Sequence, residues 1–315
     1  MTYPDERILV IRLSALGDIV QCFQAFHDIR RAHPKAHIAL LTMPAFAGFA
    51  KEMPWFDRVI IDQRAPIWRI DLWRDLLSKI AAFNPTRVYD LQAKRRQNIL
   101  YWLTGGPLGR EWSGSAPFCT FGRIDPVPTD IHFTAFVADQ LNRAGLESSG
   151  TPDLSWLKAS INTFNLPPRY AVLVPGCGAG RDYKQWPVAH YAAIARRLIA
   201  AGYGVVTVGT SSDKAVVDAL VTEVPDIIDL CGQTSLLQLG GLARAAVAVL
   251  GNDTGPTHLM AAVGAPTLAL FSERVNAVWC APRGQTIRWL QGHPLQKLLP
   301  DEVFLALGHM IDKRN

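Results

Sequence analysis

The sequence predicts an α/β protein of two doubly wound halves, each a parallel sheet flanked by helices. Three observations carry this expectation. Short apolar runs alternate with helical patterns along the chain, as they do where parallel strands are joined by helical crossovers. The same opening occurs twice, an apolar run, a small-residue loop and a helix: first "ILVIRLSALGDIV", later "YAVLVPGCGAGRDYKQWP". The chain's 315 residues, 49% of them hydrophobic, also suit two cores better than one.

In chain order, strand-like runs cover Ile8–Ile11, Ile38–Leu41, Val59–Ile61 and Val88–Asp90. A second set covers Ala171–Val174, Val205–Val208, Ile227–Asp229, Ala245–Leu250 and Thr267–Phe271. Helical patterns lie between them at Val20–Ala32, Trp186–Ala201 and Ser235–Arg244. The stretch "RAPIWRIDLWRDLLSKIAAF" reads as an amphipathic helix, with Trp68, Leu72 and Leu76 on one stripe and Trp73, Leu77 and Ile80 beside it. Facing a core is its plain role; contact with a membrane surface is the alternative. The Pro/Asn/Thr-rich stretch Ser160–Pro168 is the linker candidate, which divides the chain into domains 1–160 and 161–315. A final amphipathic helix, about residues 300–315, carries Asp301 and Glu302 in its first turn and could pack on either domain. Two such domains facing each other would enclose a cleft at the carboxyl ends of both sheets, where ligands of open α/β sheets bind.

Composition narrows the function classes. The net charge is +5 and the pI is near 9.0. That excess suits an anionic substrate or an acidic membrane surface and is too small to argue for nucleic acid. The five cysteines (Cys22, Cys119, Cys177, Cys231, Cys280) form no CxxC pair, so no zinc or disulfide framework follows and a reducing cytoplasm is expected. His27, His33, His37, His132, His190, His293 and His309 show no metal-ligand spacing, and there is no Asp-x-Asp pair; no metal and no cofactor are assigned. The opening "MTYPDERILVIRLSALGD" lacks a signal-peptide core, and no apolar stretch approaches the roughly 20 residues of a spanning helix. A soluble, at most peripheral, protein is expected.

Three motifs carry chemistry. In "GNDTGPTHLMAAVGAPTLALF", Asp253 or Thr254 is a good N-cap, Pro256 suits the first helical turn, and Gly264 and Pro266 end the helix. This is ordinary capping grammar, but such a terminus also binds anions through its N–H groups and macrodipole. In "RLSALGD", Gly17 would permit a tight turn, and Asp18 stands either as an N-cap or as a general base at the carboxyl edge of the first strand. In "PGCGAGRDYKQWP", Gly176, Gly178 and Gly180 would let backbone amides approach a diphosphate, with Lys184 adding a charge. The helix starts too late for a dinucleotide fingerprint. A base together with a phosphate cradle describes group transfer from a nucleotide-activated donor.

Through "SALGD", "PGCGAGRDYKQWP" and "NDTGPTHLMAAVGAP", in that order, the chain resembles glycosyltransferase family 9, the ADP-heptose:lipopolysaccharide heptosyltransferases. The resemblance runs over nearly the whole length. It implies a GT-B fold, an N-terminal acceptor domain and a C-terminal donor domain. It implies that Asp18 is the catalytic base, that Lys184 binds the donor phosphates, and that Asp253, Thr254, Gly255, Pro256 and His258 close on the diphosphate and sugar. Ser14 and Gly17 would join the nucleotide-sugar site, and Thr234 would lie near the base. The implied reaction is inverting and metal-independent, from ADP-heptose to a lipid-linked acidic glycan, at the cytoplasmic face of the inner membrane. The basic run Lys94, Arg95 and Arg96 would then belong to the acceptor side; otherwise it is a solvated charge cluster. Two departures stand out: Ala179-Gly180 replace hydroxyl residues common before the phosphate lysine, and the acidic ribose partner is not obvious, with Asp213 the candidate. The rival readings are another nucleotide-sugar donor, a nucleotide-sugar epimerase, and a nucleotide-binding protein without catalysis.

Overall fold

Every strand pairing among the described residues is parallel. The computed structural model describes residues 6–178 and 180–312. The chain divides into two compact units, Met1–Trp156 and Leu157–Asn315. The first unit opens with β1 (Arg7–Ile11), α1 (Leu16–Gln21), α2 (Phe23–Ala32), β2 (His37–Thr42), α3 (Pro44–Lys51) and β3 (Arg58–Ile61). It continues through α4 (Ile70–Phe83), β4 (Arg87–Asp90), α5 (Arg95–Leu103), β5 (Glu111–Gly114), β6 (Phe121–Gly122) and α6 (Phe133–Arg143). The second opens with β7 (Tyr170–Val174), α7 (Val188–Ala200), β8 (Gly204–Thr207), α8 (Lys214–Glu223), β9 (Ile228–Asp229) and α9 (Leu236–Ala245). It ends with β10 (Ala248–Asn252), α10 (Gly255–Ala262), β11 (Thr267–Ser272), α11 (Ala277–Cys280), β12 (Ile287–Gly292) and α12 (Pro300–Asp312).

The two sheets repeat one plan. The orders are β3-β2-β1-β4-β5-β6 and β12-β11-β10-β7-β8-β9. In each unit the chain steps outward from its first strand and then returns to that strand's other side. The strands where it reverses are β1 and β4 in the first unit, β7 and β10 in the second. Loops leaving such a pair diverge, and ligands of open α/β sheets bind between them.

The central strands are apolar because helices cover both faces. In the first unit, Leu9, Ile11, Ile60 and Val88 pack with Trp73, Leu76, Ile80 and Phe83 of α4, an i, i+3, i+7, i+10 stripe that faces the sheet. That helix begins at Ile70, so Trp68 precedes it and stands exposed rather than sharing the buried stripe. In the second unit, α7 and α12 share one core: Tyr191, Ile194 and Leu198 lie with Val303, Leu307 and Met310. The final helix thus packs within the second unit. Among the described residues, no helix is long and apolar enough to cross a membrane.

The units meet in sequence at Trp156 and Leu157. The Trp156 ring lies 5.9 Å from that of Phe23 and 5.7 Å from those of Phe49 and Trp55, in the first unit's aromatic cluster. Leu157 is buried against α9, where a Cβ on Gly240 would fall 2.2 Å from the Leu157 carbonyl oxygen. Gln238 of the same helix donates to the Ser160 carbonyl at 3.4 Å. Residues 157–160 therefore pack with the second unit. A side chain at Gly240 must push this segment off its helix, a shift that costs about 1–3 kcal/mol. Gly240→Ala should accordingly lower Tm by several degrees in a calorimetric scan; an unchanged Tm would mean that the segment is not held there.

Candidate active site

In the second unit, the β7/β10 reversal is organised by one side chain. Asn252, fully buried, ends β10. Its Oδ1 accepts from Trp186 N–H at 3.2 Å and from the Tyr191 hydroxyl at 3.1 Å. Its Nδ2 donates to the carbonyls of Pro175 at 2.8 Å and Gly176 at 3.2 Å. The amide thus ties both ends of the loop that follows β7 to the end of β10. Buried amides need such partners, since each one left unmade costs roughly 1–3 kcal/mol.

Beside this clamp, a short 3-10 turn (Asp182–Lys184) delivers Lys184. Its Nζ lies 2.5 Å from Asp253 Oδ2, and the side chains are only 15% and 7% exposed. His258 Nε2 meets the other carboxylate oxygen at 3.0 Å. Burial pushes the Asp253 carboxyl up, but the His258 hydrogen bond and the nearby Lys184 charge outweigh it and hold the pKa below the usual range. Lys184 is therefore a placed, half-sequestered cation rather than a solvated surface lysine. Next to it, α10 begins at Gly255 with Thr254 as N-cap and Pro256 in its first turn. The Thr254 hydroxyl turns to the Asn252 carbonyl at 3.3 Å, and among the described residues no side chain caps the helix. Its first-turn N–H groups and macrodipole are left for another acceptor.

Asp213, the candidate ribose partner, is tied into the loop and lines a cavity with Cys177, Gly178 and Asp182. Its Oδ1 accepts from Gly178 N–H at 3.2 Å, and its Oδ2 accepts from the Thr210 N–H at 2.9 Å and hydroxyl at 2.8 Å. A Cβ on Gly176 would lie 2.3 Å from this carboxyl group. Asp213 fastens the glycine loop to the start of α8. Ala179 lies outside the described residues. Thr234 follows β9, separated from β7 by β8, and precedes Ser235, whose hydroxyl caps α9. The structure does not bring Thr234 into the Lys184, Asp253 and His258 group.

The first unit's reversal is pinned differently. Asp18 is the third residue of α1, with Ala15 as N-cap, so it is not the cap itself. Its Oδ2 accepts from Ala15 N–H at 3.0 Å and lies 3.2 Å from an Arg12 guanidinium nitrogen, while half the side chain stays exposed (50%). Gly17 lies inside the first turn of α1 rather than in the loop before it. Arg12, 4% exposed, also donates to the Leu91 carbonyl at 2.5 Å, and its guanidinium lies 5.0 Å from the Phe133 ring centroid. Gln92 Oε1 accepts from Leu13 N–H at 3.0 Å and from Ser14 N–H at 3.4 Å. Sequence reasoning passed over Arg12, Gln92 and Asn252. The available signal was a lone polar residue ending an otherwise apolar strand, which burial obliges to find partners.

On the same edge of the first unit lies a cavity of about 460 Å³ lined by Lys94, Arg95, Asn98, Ser115 and Arg123. Asp90 is buried at the end of β4. Its Oδ1 accepts from Gln92 N–H at 3.2 Å and Ala93 N–H at 2.8 Å, and among the described residues its Oδ2 has no hydrogen-bond partner. Burial pushes its carboxyl up to about 7, against the smaller opposing pull of the two backbone bonds and of Arg123 and Arg12. Among the described residues, no three His, Cys, Asp or Glu side chains gather as a metal site.

Comparison with known proteins agrees with this architecture. Residues 132–288 match the sequence profile of glycosyltransferase family 9 (heptosyltransferase). Lipopolysaccharide heptosyltransferase 2 of Escherichia coli K12 is 39% identical over 287 residues, 84% of this chain and 82% of that protein. The chain belongs to glycosyltransferase family 9. Lipooligosaccharide heptosyltransferase 2 of Haemophilus influenzae is 36% identical to it over 102 residues, 31% of this chain and 29% of that one. The solved structure of E. coli ADP-heptose lipopolysaccharide heptosyltransferase II superposes with a TM-score of 0.77 at 20% identity, over 98% of this chain and 99% of that one. This family 9 chain has the same GT-B-type fold of two parallel α/β sheets.

The Asp90 carboxyl supplies a pH test. Its pKa in the folded protein, about 7, lies above the ordinary 3.8. Between those values the folded protein keeps a proton that the unfolded chain has released. Its contribution to stability therefore falls as pH rises through that window and levels off above it. Asp90→Asn keeps an oxygen for the Gln92 and Ala93 N–H groups and removes the charge. It should raise Tm relative to the parent at mildly alkaline pH, with the difference vanishing near pH 4. A constant difference at every pH would refute the assignment.

Proposed function

We propose that this family 9 chain transfers heptose from ADP-heptose to an acidic, lipid-linked acceptor of the lipopolysaccharide core, with inversion and without a metal ion. The observation that carries this is the second unit's cluster: Lys184 and His258 on one buried carboxylate, beside an α10 terminus without a side-chain cap. A cation and helix-start N–H groups suit a diphosphate, whose charge grows as the glycosidic oxygen departs. The names of its relatives, lipopolysaccharide heptosyltransferase 2 among them, support this donor and acceptor.

In one displacement, the acceptor oxygen bonds to the anomeric carbon, the bond from that carbon to the β-phosphate oxygen breaks, and ADP leaves. Asp18 takes the hydroxyl proton as the oxygen attacks. Arg12 and the Ala15 N–H fix one of its oxygens, and half the side chain is exposed. Lys184 and the helix start meet the charge on departing ADP, as a divalent cation does elsewhere. Asp253, itself bonded to His258, holds Lys184 in place. By resemblance to the family, Ser14 and Thr234 join the nucleotide-sugar site. A lipid-linked acceptor puts the work at the cytoplasmic face of the inner membrane, with the chain bound there peripherally.

Purified protein given ADP-heptose with and without a core acceptor separates the readings. Transfer only with acceptor supports the proposal; a free altered sugar nucleotide means an epimerase; neither product excludes both. Asp18→Asn should lower turnover about 10²- to 10⁴-fold with ADP affinity nearly unchanged. Normal turnover would leave Asp18 merely as a helix-start acceptor. Lys184→Ala should weaken ADP binding by about 1.5–3 kcal/mol in titration calorimetry of folded protein, and unchanged affinity would place the phosphates elsewhere. Activity should survive excess EDTA, whereas loss on chelation with recovery on magnesium would disprove the metal-free mechanism.

A further inference from the structure

Between β3 and α4 the first unit projects three large apolar side chains: Ile67 is 61% exposed, Trp68 76% and Ile70 60%. They do not stand on a loose loop. Below them, buried Asp62 takes a bidentate Arg96, with Nε to Oδ2 at 2.9 Å and a terminal nitrogen to Oδ1 at 2.6 Å. Arg96 also donates to the Ala65 carbonyl at 2.6 Å and stacks 4.2 Å from the Trp73 ring centroid. Trp73 Nε1 donates to the Pro66 carbonyl at 3.3 Å, and Arg64 N–H to Asp62 Oδ1 at 2.7 Å. A bidentate, stacked arginine fixes the base of the loop. Exposure of the tip is thus built in.

The charges around the tip favour one kind of surface. Arg69 pairs with Asp71 and Lys79 with Asp75. Arg64 and Arg74 are exposed, and among the described residues no carboxylate pairs with either. Lys94 and Arg95, also exposed, precede the clamping Arg96 at the start of α5. An indole beside aliphatic side chains and flanked by cations fits the boundary between anionic headgroups and acyl chains. A tip of three residues is far short of the roughly 800 Å² per partner of a stable protein interface.

We propose that Ile67, Trp68 and Ile70 insert into the headgroup region of an anionic bilayer and that Arg64 and Arg74 hold them there. This seats the edge bearing Asp18 and the basic cavity on the surface that would carry a lipid-linked acceptor. The inference rests on the reading above only for that acceptor, since binding to vesicles needs no turnover.

The test is co-sedimentation of the full chain with phosphatidylcholine vesicles, with or without phosphatidylglycerol. The chain should bind the anionic vesicles, and added salt should weaken binding. Ile67→Ser with Trp68→Ser should lower the partition coefficient about tenfold or more without changing Tm or turnover on a water-soluble, deacylated acceptor. Arg64→Gln with Arg74→Gln should abolish the preference for phosphatidylglycerol. Failure of the parent chain to bind anionic vesicles would overturn the proposal, as would serine variants that bind like the parent. A parent dimer that the serine variants convert to monomer in sedimentation would assign the tip to a second copy and equally overturn it. Absent heptose transfer with intact, tip-dependent vesicle binding would count against the enzymatic reading alone.

Discussion

A parallel sheet wound outward in both directions from one pair of strands must send its chain apart at the carboxyl ends of that pair. Both units obey this constraint, at β1/β4 and at β7/β10. The diverging loops carry polar backbone at the rim of an apolar sheet, where each group must find a partner or pay for lost water. The rest of each candidate site follows from how that demand is met.

The units meet it with different chemistry. In the second, the Asn252 amide supplies two donors and an acceptor that serves twice, so one neutral side chain fastens four groups. Neutral clamping leaves the charged residues nearby, Lys184, Asp253 and His258, to one another. In the first, Arg12 and Gln92 share the work, and Arg12 brings a buried positive charge to within 3.2 Å of Asp18. The same guanidinium therefore closes the loop and fixes the direction of the carboxylate. The Asp62–Arg96 clamp repeats the device at the end of β3, where it raises an apolar tip instead of a polar group.

What the sequence disclosed was mostly what is local. Central strands such as Leu9–Ile11 and Val172–Val174 are legible because both faces are buried and the run is unbroken. The short β5 and β6 escaped notice because "EWSG" and "FG" carry little strand signal, and β12 because it lies on the sheet edge with the adjacent Arg288 and Trp289 exposed, which breaks the alternation. The start of α10 was legible from Thr-Gly-Pro punctuation. The Lys184–Asp253 pair was not, because its partners lie 69 positions apart and no periodicity links them. The bond from the glycine loop to Asp213 was hidden for a related reason, because Gly178 and Asp213 lie 35 positions apart. Trp68 fits a helical stripe by spacing, but the helix starts two residues later.

The Lys184–Asp253 contact has a kinetic meaning. In the proposed donor site, an incoming phosphate would meet a cation already shared with a carboxylate at 2.5 Å, so it would replace Asp253 as the partner of Lys184 instead of capturing a bare charge. Exchange of one anion for another gains less free energy than new pairing, and it weakens long-range attraction because lysine and aspartate nearly cancel at a distance. Under the same proposal, grip on the spent nucleotide would be loosened by the same margin, with Asp253 positioned to reclaim the ammonium as the phosphate leaves. The carboxylate would then act as a returning spring, lowering the affinity for donor and product alike and shortening the residence of the latter.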